Sequence, residues 1–289
     1  MARFGEYVIC KNQIVLARDG GIPQNDLWPS RGRVAFTVIE ARGEKLFHYD
    51  EHFARLETCA RKIGLPVWSE KEILRAHLKA LLHKCGFKES LVAVYFSAGS
   101  TQDNWHGAYP QSYIPVYASV YEHERKGGTI KLKALEFCRP MAGIKHTDYL
   151  FGNVECEIAE EEGYGDVLYF DSRANDVFET SRKNILLVRP GRHIYTPNYE
   201  SGNILKGITL EILMDVALKK GLCVSINRVN HLKLQEFFDI KIEGAIVAST
   251  GGVFPVESIN DRGLTMKNRI WDICHAFEDY REEYFAKKE

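Results

Sequence analysis

The chain has 289 residues, 45% hydrophobic and 11% aromatic, enough to bury a sizeable core in one large domain or two ordinary ones. Its 38 basic and 39 acidic side chains leave a formal net charge of −1, so a dedicated nucleic-acid binder is not expected. No run approaches the roughly 20 apolar residues of a membrane-spanning helix, and the seven scattered cysteines form neither a Cys-x-x-Cys pair nor a Cys/His metal cluster.

The opening stretch MARFGEYVICKNQIVLARDGG is broken by charge every few positions, unlike the apolar segment of a signal peptide. A reduced, cytoplasmic setting is expected, with no metal. Strands are expected at residues 6–10, 35–41 and 45–48, then a helix over 51–63 that Gly64 closes. A second helical pattern carries Ile73, Leu74, His77, Leu78 and Leu81 and ends near Gly86. Strands follow at 90–97 and 112–122, with the polar loop 98–111 between them.

The charged, then Gly-rich run 123–128 is the best linker in the chain. It divides a small N-terminal domain, 1–122, from a larger C-terminal domain, 129–289. Beyond it a strand is expected at 129–137 and a helix at 147–162. Short strands are expected at 167–170, 177–179, 184–188 and 193–196, then a helix at 208–220 stopped by Gly221. Strands at 223–228 and 245–249 and a last helix at 267–285 complete the pattern. Helices and strands do not alternate regularly, which predicts an α+β fold in two domains.

Four local features bear on chemistry. Lys145 lies in RPMAGIKHTDYLFGN, just before an expected helix and among few other charges; such surroundings ease loss of its proton. Taken alone, it reads equally as a solvated lysine at a helix start. Glu179 ends a strand-like run and precedes Thr180, Ser181 and Asn184, a setting that also suits an ordinary turn. Gly207-Ile208-Thr209 opens an amphipathic helix, whose free N–H groups and dipole suit a phosphate. Ser249-Thr250-Gly251-Gly252 follows a buried strand, and its hydroxyls also suit an anion.

In this order, the segments VFETSRKNILLVRPGRHIYTP, ILKGIT and EHFARL resemble the fold-type IV pyridoxal-phosphate enzymes. That family includes branched-chain and D-amino-acid aminotransferases and aminodeoxychorismate lyases. The resemblance implies a small α/β N-terminal domain, a larger C-terminal pseudo-barrel domain with the cofactor lysine, and a homodimer. It implies that Lys145 holds pyridoxal 5'-phosphate (PLP) as an internal aldimine and moves the proton, and that Glu179 faces the pyridine nitrogen. It also implies that Arg55, Ile208, Thr209 and Thr250 bind the phosphate, with Arg139 in a supporting position.

The chain departs from the family pattern near the substrate. LWPSRGRVAF matches an "Asp-Arg-Gly" run only through Arg31 and Gly32, and the loop 98–111 has no arginine, only His106. A buried substrate carboxylate needs a cation. Arg31 is therefore expected to bind it, with Arg33 as alternative, and Phe36 lines the same position as an aromatic residue of relatives. The implied activity is transfer of an amino group from a D- or branched-chain-type amino acid to a 2-oxo acid. The alternative is a lyase releasing pyruvate and 4-aminobenzoate; a non-catalytic dimeric scaffold is the further one, disfavoured because both Lys145 and Glu179 are present.

Overall fold

The valine-, tyrosine- and phenylalanine-rich runs near the start of the chain form strands, as their composition predicts. In the computed structural model, which describes residues 3–65, 70–100, 114–125, 127–174, 176–189, 193–221, 223–225, 232–233, 242, 244–265 and 268–287, six of them make one sheet. These are β1 (Tyr7–Cys10), β2 (Gln13–Leu16), β3 (Val34–Arg42), β4 (Lys45–Leu46), β5 (Glu89–Ser97) and β6 (Val116–Glu122). The order is β2-β1-β6-β5-β3-β4, antiparallel throughout.

Two helices cover one face of this sheet. α2 (Tyr49–Lys62) buries Tyr49, His52, Phe53, Leu56, Cys59 and Ala60, a row that recurs once per turn. Asp50 and Glu51 in its first turn and Arg61 and Lys62 in its last complement the helix dipole. α3 (Lys71–Cys85) adds Leu74, Leu78, Leu81 and Leu82 to the same core. Two elements were not expected. β2 follows a two-residue turn, Lys11–Asn12, with φ of 48° and 69°, the left-handed geometry of a tight hairpin. The five-residue α1 (Leu27–Arg31) contains Pro29, which its first turn tolerates, and is capped by Asp26, whose carboxylate accepts from the Trp28 N–H at 2.8 Å.

The remaining strands are β7 (Ile130–Glu136), β8 (Asp166–Asp171), β9 (Asp176–Thr180), β10 (Asn184–Arg189), β11 (His193–Tyr195), β12 (Cys223–Ser225), β13 (Leu232–Lys233), β14 (Gly244–Ser249), β15 (Gly252–Ile259) and β16 (Arg262–Gly263). They form a second sheet ordered β12-β11-β10-β14-β15-β7-β8-β9-β13, with β16 beside β15. Four strands separate β9 from β10 in that order, yet a tight turn joins them, with the Thr180 N–H donating to the Lys183 carbonyl at 2.8 Å. The sheet therefore curls into an open barrel, filled by Leu132, Leu168, Ile185, Leu187, Val247 and Val256. Around it lie α4 (Leu150–Glu161), α5 (Ile208–Lys219) and α6 (Asn268–Ala286). This is the expected α+β architecture with a pseudo-barrel.

By its internal contacts the chain divides into two units, Met1–Glu124 with Ile144–Asp148, and Arg125–Gly143 with Tyr149–Glu289. The Lys145 segment, read from sequence as part of 129–289, thus groups with the first unit. Most of the loop 98–111, with His106, and the expected strand residues 112–113 and 226–228 lie outside the described residues.

Candidate active site

In the first unit the lysine is fixed by its main chain. The Phe36 N–H donates to the Lys145 carbonyl at 3.0 Å, and His146 bridges Ala35 at the start of β3. The Lys145 N–H donates to Cys59 Sγ at 3.3 Å. The residue is therefore an extended edge beside β3, and α4 begins only at Leu150, three residues later than the sequence pattern suggests. Its Nζ lies 4.8 Å from the centre of the Phe36 ring. That ring begins an aromatic row across the sheet: it stacks on Tyr95 at 5.6 Å, and Tyr95 stacks on Trp28 at 4.6 Å.

α2 lies on the other side of β3. The spacing of EH-x-x-R-L puts His52 and Arg55 one turn apart on one helix face. Arg55 Nη2 donates to Thr37 Oγ1 at 3.0 Å, and Thr37 Oγ1 lies 2.7 Å from His52 Nδ1. Burial holds the His52 imidazole pKa well below the ordinary 6.5, and the charges of Arg55, His48 and Lys145 push it the same way. A buried neutral histidine costs stability in acid, because the unfolded chain takes up its proton below about pH 6.5 and the folded chain does not. The melting temperature should therefore fall as pH drops from about 7 to about 5, and less steeply in His52→Asn. Equal slopes in the two proteins would show that His52 is not the titrating group.

In the second unit Glu179 is 6% exposed and both its oxygens are engaged. Oε1 accepts from Arg139 Nη2 at 2.7 Å. Oε2 accepts from Asn184 Nδ2 at 2.9 Å and from the Leu205 N–H at 3.2 Å. Burial works against the Arg139 charge, but the Glu179 carboxylate outweighs it and raises the guanidinium pKa above its ordinary value. The guanidinium is thus held in its charged form.

Asn184 also donates to the Leu205 carbonyl at 2.9 Å and packs against Gly207, the N-cap of α5. A Cβ on Gly207 would fall 1.8 Å from Asn184 Oδ1, so only glycine fits there. Asn184 pairs with Ala248 across β10 and β14, which brings the Thr250 turn to the same end of the barrel as Gly207, Ile208 and Thr209.

The first unit thus gathers Lys145, Arg55 and Phe36, and the second gathers Glu179, Ile208, Thr209 and Thr250. Arg31 is exposed at the end of α1, with Nη1 donating to the Ser30 carbonyl at 2.8 Å. Arg33 Nε donates to the Ile63 carbonyl at 3.0 Å, at the end of α2. Sequence reasoning passed over Thr37, His52, Tyr95 and the role of Asn184. Two signals were present, the EHFARL segment for His52 and the five-residue separation of Glu179 and Asn184 across a turn.

A family model described as amino-transferase class IV matches residues 34–259. A "Probable branched-chain-amino-acid aminotransferase" of Rickettsia conorii is 26% identical over 86% of this chain and 84% of its own length. A D-alanine aminotransferase of Listeria innocua is 24% identical over 84% of this chain and 85% of its own. Among solved structures, a PLP-bound aminotransferase from Mycobacterium tuberculosis, described as hypothetical, superposes with a TM-score of 0.80 at 19% identity, covering 94% of this chain and 97% of that one. A protein from Legionella pneumophila described as a 4-amino-4-deoxychorismate lyase superposes with a TM-score of 0.81 at 19% identity, covering 91% and 96%.

Proposed function

This chain belongs to the class IV aminotransferases, and we propose that it moves an amino group from a D- or branched-chain-type amino acid to a 2-oxo acid. Enzymes of this family depend on PLP, whose aldehyde carbon joins an amine and whose ring accepts electrons from the substrate Cα. The residues fit such a group. The buried Arg139–Glu179 pair carries this reading, because it fixes a carboxylate against a guanidinium away from water, and a protonated pyridine nitrogen needs a carboxylate partner. Gly207 lets Asn184 pack against the start of α5, a helix N-terminus of the kind that suits a phosphate, and Arg55 offers a guanidinium for one.

In this reading Lys145 would hold the cofactor through its Nζ and would serve as the base that takes and returns the substrate Cα proton. Glu179 holds a proton at the ring nitrogen. Arg55, Ile208, Thr209 and Thr250 bind the phosphate, and Phe36 and Arg31 meet the substrate. No helix among the described residues is long and apolar enough to cross a membrane, and we place the enzyme in the cytoplasm. We propose a homodimer. Leu150, Phe151, Val154 and Ile158 leave an exposed apolar row on α4, of the kind that a partner subunit covers.

The test is a half-reaction screen: the yellow enzyme is mixed with D- and L-amino acids, and loss of visible absorbance is followed. No response to any amino acid would overturn the transaminase reading. A lyase of this fold would use the same lysine, and an aromatic amine formed without an amino acceptor would identify it.

Arg31→Ala should raise the KM for amino acids about tenfold or more while leaving PLP bound, since a charged hydrogen bond is lost and the phosphate contacts are not. Amines without a carboxylate should be affected much less. Arg33 Nε donates to the Ile63 carbonyl at the end of α2, whereas Arg31 is exposed at the end of α1, and the two variants are compared side by side. Unchanged KM for amino acids in Arg31→Ala would transfer the role to Arg33.

A further inference from the structure

Two polar side chains sit deep in the first unit. Thr37 is 1% exposed and His52 2%, and their neighbours along β3 and α2, Ala35, Ile39, Phe53 and Leu56, belong to the core. A hydroxyl and an imidazole at such depth cost desolvation that valine and leucine would avoid. Packing alone therefore does not account for them.

A guanidinium only donates, so Thr37 Oγ1 accepts from Arg55 Nη2. Among the described residues the Thr37 hydroxyl has one other side-chain partner, His52 Nδ1 at 2.7 Å. The imidazole tautomer sets the direction of that second bond, and in either tautomer the bond fixes the Thr37 hydroxyl. A chain thus runs from α2 to β3 and back to α2, and its end is the Arg55 side chain.

We infer that Thr37 and His52 are positioning residues for Arg55: the imidazole orients the Thr37 hydroxyl, and the hydroxyl holds the guanidinium where it meets the cofactor phosphate. This rests on the reading of Arg55 as a phosphate partner. A free arginine loses side-chain freedom when it clasps an anion, and one already held loses less. Thr37 and His52 touch neither cofactor nor substrate in this account, and they act only on how tightly the phosphate is bound.

The test compares PLP with pyridoxal, which lacks the phosphate, by equilibrium dialysis against the apo-protein. Thr37→Val should weaken PLP binding about tenfold and pyridoxal binding by less than about twofold. Thr37→Ser, which keeps the hydroxyl, should bind PLP within about twofold of wild type. His52→Leu removes the partner of the Thr37 hydroxyl and should behave as Thr37→Val does; it carries the test if Thr37→Val fails to fold. In an Arg55→Ala background, Thr37→Val should have no further effect.

If Arg55→Ala leaves PLP affinity unchanged, the phosphate reading of Arg55 fails, and this inference with it. If Arg55→Ala weakens PLP binding and the Thr37 and His52 variants do not, or weaken pyridoxal equally, the positioning role alone is overturned.

Discussion

Replacing Lys145 by alanine is expected to leave a folded protein that forms no borohydride-trappable link to PLP and turns over at least about 10⁴-fold more slowly. The fold should survive because the bonds holding this residue come from its main chain. The Phe36 N–H meets its carbonyl, and its own N–H meets Cys59 Sγ. Alanine keeps both. Cofactor should still bind without the covalent link, since the phosphate contacts proposed for Arg55 and α5 do not involve the lysine. Reducible, covalently held PLP in Lys145→Ala would show that another lysine is the anchor.

The strand pattern was legible where β-branched and aromatic residues cluster. Residues 35–41 and 90–97 do so, and the strands extend only a residue or so beyond those limits. β15 was not legible because Pro255 interrupts it, and proline argues against a central strand. The fold tolerates it because pairing of β15 with β7 begins one residue later, at Val256, so the missing N–H breaks no bond on that side.

The lysine segment shows a different limit. Helical periodicity after residue 147 is real, but the main chain at 144–146 is engaged by β3, more than 100 residues earlier. Nothing local encodes that pairing. The same holds for Thr37, which reads as one more β-branched strand residue in FTVIEA. Its hydroxyl matters only because α2 folds His52 and Arg55 against it. The proposed site residues, Lys145, Glu179 and Thr209 among them, stand in family-like segments, and the groups that hold Lys145 and Glu179 come from elsewhere in the chain.

Glu179 should separate a structural ion pair from a catalytic one. Glu179→Ala leaves the Arg139 guanidinium charged, 8% exposed and without its carboxylate, which should cost about 3–5 kcal/mol of stability whatever the residue does in catalysis. Glu179→Gln is the sharper variant. Its carbonyl oxygen can still accept from Asn184 and the Leu205 N–H while its amide faces the Arg139 donor, so the packing survives at some cost, but the negative charge is gone. If that charge keeps a proton on the ring nitrogen, turnover should fall at least about 100-fold while Lys145 still holds PLP covalently and the protein stays folded. Glu179→Asp keeps the charge one methylene farther back and should fall between Gln and wild type. Near-wild-type turnover in Glu179→Gln would end the assignment to the ring nitrogen and leave Glu179 as the partner of Arg139 alone.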